Sequence, residues 1–214
     1  MKIELKKIHY SEQLSEETHA FTANLYINGT HAGYAKNNGR GGATYYQAKD
    51  EKGKVLIKEA EKYCAELPAK NTEDKSLDDL SWDMDLAQII DDLLYLYLEK
   101  KEIDRFNSKL NKRMLDGLVF GIQDQSFRGF VYPLPMIQLL AQPKGPEIVL
   151  KDLTEKVLPS LTDGNKLLNT NIPESIIKAA GLDEQQYVKP LVRNIRYGMI
   201  PYIEEKDNNR NRSR

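Results

Sequence analysis

The first residues with usable chemistry are tyrosines set among cations: Tyr26, Tyr34, Lys36, Arg40, Tyr45 and Tyr46, all in one short stretch. Aromatic rings stack on bases and cations meet phosphates, so this interleaving suits single-stranded nucleic acid. Tyrosine is also a good strand residue, and strand alternation would send part of such a set to the other side of a sheet. A second set is acidic: Asp78, Asp79, Asp83, Asp85, Asp91 and Asp92. Converging carboxylates can hold the metals of a nuclease, and an acidic surface can imitate nucleic-acid charge before a basic partner. The plainer account is a solvated acidic helix start, since the Asp-Met-Asp segment lacks the Gly and distal Glu of an EF-hand loop.

Further cations lie beyond. Lys109, Lys112 and Arg113 end a long helical stretch, and Lys189, Arg193 and Arg196 precede a tail holding Arg210, Arg212 and Arg214. The last six read most simply as a solvated helix end and a soluble tail. The Gly-rich segment Asn37 to Gly42 could form an anion-binding nest, but it lacks the Gly-Lys-Ser/Thr ending of a P-loop and reads as an inter-strand loop. His9 and His31 are expected to approach on neighbouring strands, yet two histidines without a third ligand make no metal site. Cys64, the single cysteine, excludes an internal disulfide and reads as a buried small hydrophobe. No Gly-x-Ser-x-Gly elbow is present. The reading is therefore non-enzymatic, with no cofactor and no metal.

The elements that must position these groups follow from periodicity. Ile3, Leu5 and Ile8 alternate with polar residues, as do Phe21, Ala23, Leu25 and Ile27. Asn28-Gly29 comes next, the pair that a type I′ hairpin turn requires, so Thr30 to Lys36 is the returning strand. Ala43 to Ala48 is a further short strand. Val55 to Leu67 reads as a helix with Val55, Ile57, Ala60, Cys64 and Leu67 to one side. Residues 68–76 have linker composition. Trp82, Leu86, Ile89, Ile90, Leu93 and Tyr97 then mark one helical face, acidic at its start and basic at its end, as the helix dipole favours. That helix is expected to break near Ile103 and resume to Leu115. A second hairpin spans about 117–132, and short helices follow at Met136 to Ala141, Glu147 to Leu158, Pro173 to Ala180 and Asp183 to Tyr197. Residues 204–214 read as a disordered tail.

The expected fold class is α+β. A small N-terminal antiparallel sheet with a packed helix (1–67) precedes a mostly helical region (77–203) that contains the second hairpin. The 214 residues carry 31 basic against 32 acidic side chains, which excludes a histone-like coat while permitting local patches. Met1 to Glu4 contains no apolar signal-peptide core, and no apolar run is long enough for a bilayer, so a cytoplasmic location is expected.

Three stretches carry a resemblance: Asn24-Leu25-Tyr26-Ile27-Asn28-Gly29, Gly33 through Gly42, and Leu167-Leu168-Asn169-Thr170-Asn171-Ile172-Pro173. In these the chain resembles uncharacterised accessory proteins of bacterial mobile elements, a class that includes counter-defence proteins such as anti-CRISPRs. The resemblance implies binding to an effector or its guide RNA and supplies no catalytic residue. The expectation is an inhibitor that binds a bacterial ribonucleoprotein effector or its RNA. Tyr34, Lys36, Arg40, Tyr45 and Tyr46 would make the contacts, with Lys109, Lys112 and Arg113 as support. Two readings stand beside it: a protein–protein inhibitor using Asp78, Asp79, Asp83 and Asp85 as a nucleic-acid mimic, and a metal-dependent nuclease using the same aspartates.

Overall fold

The computed structural model describes residues 1–68, 70–71, 81–82, 84–162 and 164–190. It is an α+β protein of two compact units, Met1–Glu102 and Ile103–Arg214. Composition alone places the division at 68–76; in the structure the first half of the long helix belongs to the N-terminal unit.

Strands β1 (Ile3–Ser11), β2 (Ala20–Ile27), β3 (Thr30–Asn37) and β4 (Tyr45–Ala48) form one antiparallel sheet in sequential order. The β2–β3 turn is the expected one, with Asn28 and Gly29 at φ 48° and 78°. The Asn28 side chain also accepts from the Lys2 amide at 3.0 Å, which fastens the start of β1. Alternation then sorts the sheet into two faces. Phe21, Ala23, Leu25, Ile27, Ala32 and Ala35 point into a core, while Thr22, Lys36 and Tyr34 stay exposed. His9 and His31 do not meet. β2 lies between their strands, and His9 opposes Thr22 while His31 opposes Tyr26, at the other end.

Helix α1 (Glu51–Ala65) covers the core face. It starts a turn before the expected Val55 because Asp50 caps it, accepting from the Gly53 amide at 2.8 Å. The buried stripe is Gly53, Ile57, Ala60 and Cys64, and Val55 is exposed. Gly53 is required here, since a Cβ would lie 2.0 Å from the Ala32 carbonyl oxygen on β3. Short strands β5 (Lys70–Asn71) and β6 (Ser81–Trp82) pair next, so Trp82 does not begin the helix. Helix α2 (Leu86–Asp116) is continuous through Ile103, without the expected break. Leu86, Ile90 and Leu94 recur at four-residue intervals and complete the N-terminal core. Each such fully buried leucine or isoleucine contributes about 1.5–3 kcal/mol.

In the C-terminal unit α2 runs directly into β7 (Gly117–Ile122), which pairs with β8 (Ser126–Val131) as the expected hairpin. After α3 (Met136–Leu140) and α4 (Gly145–Asp152), a π turn at Leu153–Val157 and a 3₁₀ turn at Leu158–Ser160 extend the helical run. β9 (Lys166–Leu167) and α5 (Glu174–Ala179) complete the unit. The strand order is β8-β7-β9. β7 is buried on both faces: Leu118 and Phe120 pack with Met136, Val149 and Leu153, and Val119 packs with Leu110 and Met114 of α2. The described part of the expected 183–197 helix, residues 183–190, is not helical. Tyr187 there is held by a bridge to Leu167 and by its hydroxyl, which donates to Glu174 at 2.6 Å.

The Leu167–Pro173 stretch is a structural tie. Asn169, fully buried, accepts from the Val119 amide at 2.6 Å and donates to the Gly117 carbonyl at 2.9 Å, so its amide continues the ladder where β9 ends. Asn171 donates to the Met114 carbonyl at 2.7 Å, satisfying a free carbonyl near the end of α2.

Candidate nucleic-acid interface

Both helices of the N-terminal unit that share the core pack on one face of its sheet, and the opposite face carries the chemistry. Register fixes what meets there: Lys6 opposes Asn24, Asn24 opposes Tyr34, Tyr34 opposes Gln47, and Lys36 lies between Thr22 and Tyr45. Tyr34 and Tyr45 are 43% and 54% exposed, far more than a sheet tyrosine packed against a helix. Lys36 Nζ stands 5.4 Å from the Tyr45 ring centroid. At the hairpin end His31 stacks on Tyr26 at 5.0 Å and meets the Tyr34 ring at a right angle, 5.1 Å away. Lys6 Nζ lies 4.3 Å from the Tyr26 centroid. Tyr26 is thus occupied by its neighbours, and Tyr34 and Tyr45 offer the more open rings.

Between these rings lies a depression of about 300 Å³ lined by Lys7, His9, Asn24, Tyr34, Lys36 and Tyr45, among others. A bulge between Lys6 and His9, with Lys7 at φ 51°, brings Lys7 to it. The arrangement is chemically a stacking platform edged by cations. No family model matches this chain, and no curated protein or solved structure matches it significantly.

Of the residues expected at the interface, Tyr34, Lys36 and Tyr45 share this face. Tyr46 does not. Alternation turns it to the helix side, where its hydroxyl donates to Glu61 of α1 at 2.9 Å. Burial, and then that bond, push its pKa up to about 12, so Tyr46 stays a neutral donor and is withdrawn from the interface.

Arg40 is exposed on the loop joining β3 to β4. That loop is no anion nest: the Gly39 amide donates to the Asn37 side chain at 2.9 Å and the Gly41 amide to the Thr18 hydroxyl at 3.3 Å. The Gly39 carbonyl accepts from the amides of Glu16, Glu17 and Thr18, which pins the loop to the segment before β2.

Asp78, Asp79 and Asp83 lie outside the described residues. Asp85 caps α2, accepting from the Gln88 amide at 2.7 Å. Asp91 accepts a hydrogen bond from the buried Thr44 hydroxyl. Among the described residues no group of three or more His, Cys, Asp and Glu side chains is placed to hold a metal ion. Cys64 is buried, and burial pushes its thiol pKa up, away from thiolate chemistry. No helix among the described residues is long and apolar enough to cross a membrane.

Lys109, Lys112 and Arg113 belong to the C-terminal unit. With Asp116 they share one face of α2 and border a cleft of about 490 Å³, whose other wall is Phe127, Arg128 and Gly129. The Arg128 guanidinium itself lies over Phe120, 5.0 Å from the ring centroid. Lys6 and Lys7 have no part in the expected interface, and His9 and His31, weighed above only as a metal pair, join it instead from this face. The hairpin register carries the signal for His31, because a turn at Asn28-Gly29 brings the residue beyond it back beside Tyr26. The β1 bulge that presents Lys7 has no sequence signal.

Proposed function

We propose that this chain is a non-enzymatic binding protein whose N-terminal sheet takes single-stranded RNA on its open face. One observation carries the reading: the exposed rings of Tyr34 and Tyr45 stand beside the Lys36 ammonium, around a depression also edged by Lys7 and His9. Bases stack on the two rings while the backbone passes the lysines. With the resemblance to mobile-element accessory proteins, the RNA is assigned to a bacterial ribonucleoprotein effector, which the bound chain inhibits.

The test is fluorescence anisotropy of a labelled structured RNA with single-stranded loops, titrated across a salt series. Binding that weakens as salt rises, and that Tyr45→Ala weakens at fixed salt, supports the reading. Absence of binding at low salt sinks it.

A further inference from the structure

β8 is the edge strand of the C-terminal sheet, and no described strand pairs with its outer side. Which of its backbone groups face outward follows from register. Gly117 opposes Val131, and one step further the Tyr132 amide donates to the Asp116 carbonyl at 2.7 Å. In an antiparallel pair, hydrogen-bonded and non-hydrogen-bonded partners alternate. Ser126, Arg128 and Phe130 therefore spend their backbone groups on β7, and Phe127, Gly129 and Val131 aim theirs away from it. The other edge of β7 agrees, since Leu168 donates to the Val119 carbonyl there at 2.8 Å. Phe127, Arg128 and Gly129 wall the cleft opposite Lys109, Lys112 and Arg113, and Phe127 and Gly129 are the two of them whose backbone groups aim outward.

We propose that this cleft docks an extended acidic segment of a partner protein, which adds to β8 as a further strand. Each outward residue of β8 presents an N–H and a C=O together, a pattern that a second peptide backbone satisfies. A nucleic-acid backbone does not satisfy it, because the outward carbonyls of Phe127 and Gly129 repel phosphate oxygens. Charge sets the partner's side chains. Three cations on successive positions of one helix face select carboxylates, and Asp116 at the end of that row excludes one there. A second copy of the chain is disfavoured by the same row, which would meet its own charge. Val131, 53% exposed, extends the edge beyond the cleft and gives the incoming strand an apolar neighbour.

The experiment uses the full chain and a labelled synthetic peptide of alternating Glu and Val, with its ends blocked. Binding is read by anisotropy, and amide hydrogen exchange is followed residue by residue at saturating peptide. The expected result is binding in which exchange slows at Phe127, Gly129 and Val131. Methylating alternate peptide amides abolishes it, and Lys112→Glu with Arg113→Glu weakens it by roughly tenfold or more. The exchange readout needs no variant, so it decides the matter even where the double substitution fails to fold. Binding that survives amide methylation, or unchanged exchange at the three β8 residues, overturns strand addition. A short RNA duplex that binds through Lys112 and Arg113 where the peptide does not overturns the choice of partner.

Discussion

The two sheets of this protein are finished in opposite ways. The N-terminal sheet puts Leu25 and Ile27 into a core on one face and leaves Tyr34, Lys36 and Tyr45 on the other, so its outward surface is a face of side chains. In the C-terminal sheet β7 packs on both faces, Leu118 and Phe120 to one side and Val119 to the other. What remains outward there is an edge of backbone. A half-covered antiparallel sheet can read ligands with side chains, while a strand covered on both faces leaves chemistry only at its rim. Polar ties differ accordingly. Asn37 anchors the Arg40 loop from a half-buried position, and Asn169 anchors β7 from full burial.

That contrast yields the largest expected effect. Asn169→Ala removes the acceptor for Val119 and the donor for Gly117, both in a site closed to water. With roughly 1–3 kcal/mol for each buried group left unpaired, the variant loses about 3 kcal/mol in urea denaturation of the C-terminal unit. Asn37→Ala leaves groups that water can reach and costs about 1 kcal/mol. Equal losses from the two substitutions would break the comparison.

The same contrast explains what the chain reveals on inspection. The first hairpin is legible because Asn28-Gly29 and the alternation of Phe21 to Ile27 agree, local turn and long-range burial selecting one register. That register carries the sheet face with it and places Tyr34 and Lys36 outward. Tyr46 is misread because adjacent tyrosines on a short strand cannot both face outward, and the sequence holds no turn signal to say which one does. The start of α1 is misread because Gly53 resembles a turn residue, whereas its role is to let the helix approach the Ala32 carbonyl. Trp82 fits the helical spacing of Leu86 and Ile90, but Asp85 caps first and the strand pairing with Lys70 takes Trp82 instead. The β8 edge site is illegible for a further reason. Its groups are backbone, and their direction depends on the pairing of Tyr132 with Asp116.

On the open face, Tyr45→Ala is expected to weaken single-stranded RNA binding by about 1–3 kcal/mol, the usual contribution of one stacked base. Tyr34→Ala follows in the same range. Lys36→Ala acts differently, lowering the slope of log affinity against log salt by about 0.7, the value for one phosphate contact on a single strand. An anisotropy salt series separates the two effects. If Lys36→Ala leaves the slope unchanged, its ammonium serves the Tyr45 ring alone.

Tyr46→Phe sharpens the division between the two faces of the same strand. It removes the bond to Glu61 of α1 and is expected to cost about 1 kcal/mol of stability in thermal or urea denaturation. RNA affinity stays at the wild-type level. A fall in affinity without a fall in stability would return Tyr46 to the interface.

The smallest effect concerns the anchor beneath the Arg40 loop. Asn37 donates to Thr44 at 3.3 Å, and the Thr44 hydroxyl donates to Asp91 of α2. Burial raises the Asp91 pKa above 3.8, the Thr44 bond opposes that rise, and the neighbouring Asp92 and Asp85 add to it. A carboxyl whose pKa is higher folded than unfolded binds its proton more tightly in the native state. Its contribution to stability is therefore greatest below the ordinary carboxylate pKa and declines as pH rises through the elevated value. Asp91→Asn keeps an oxygen to accept from Thr44 and removes the buried charge. The variant is expected to melt slightly above wild type at neutral pH, with the gap closing as pH falls into the range where Asp91 is protonated. A melting series against pH checks this. A gap that persists in acid would show that the carboxylate charge is not its cause, and a variant melting below wild type at neutral pH would show that the Thr44 bond to the charged carboxylate outweighs the cost of burying it.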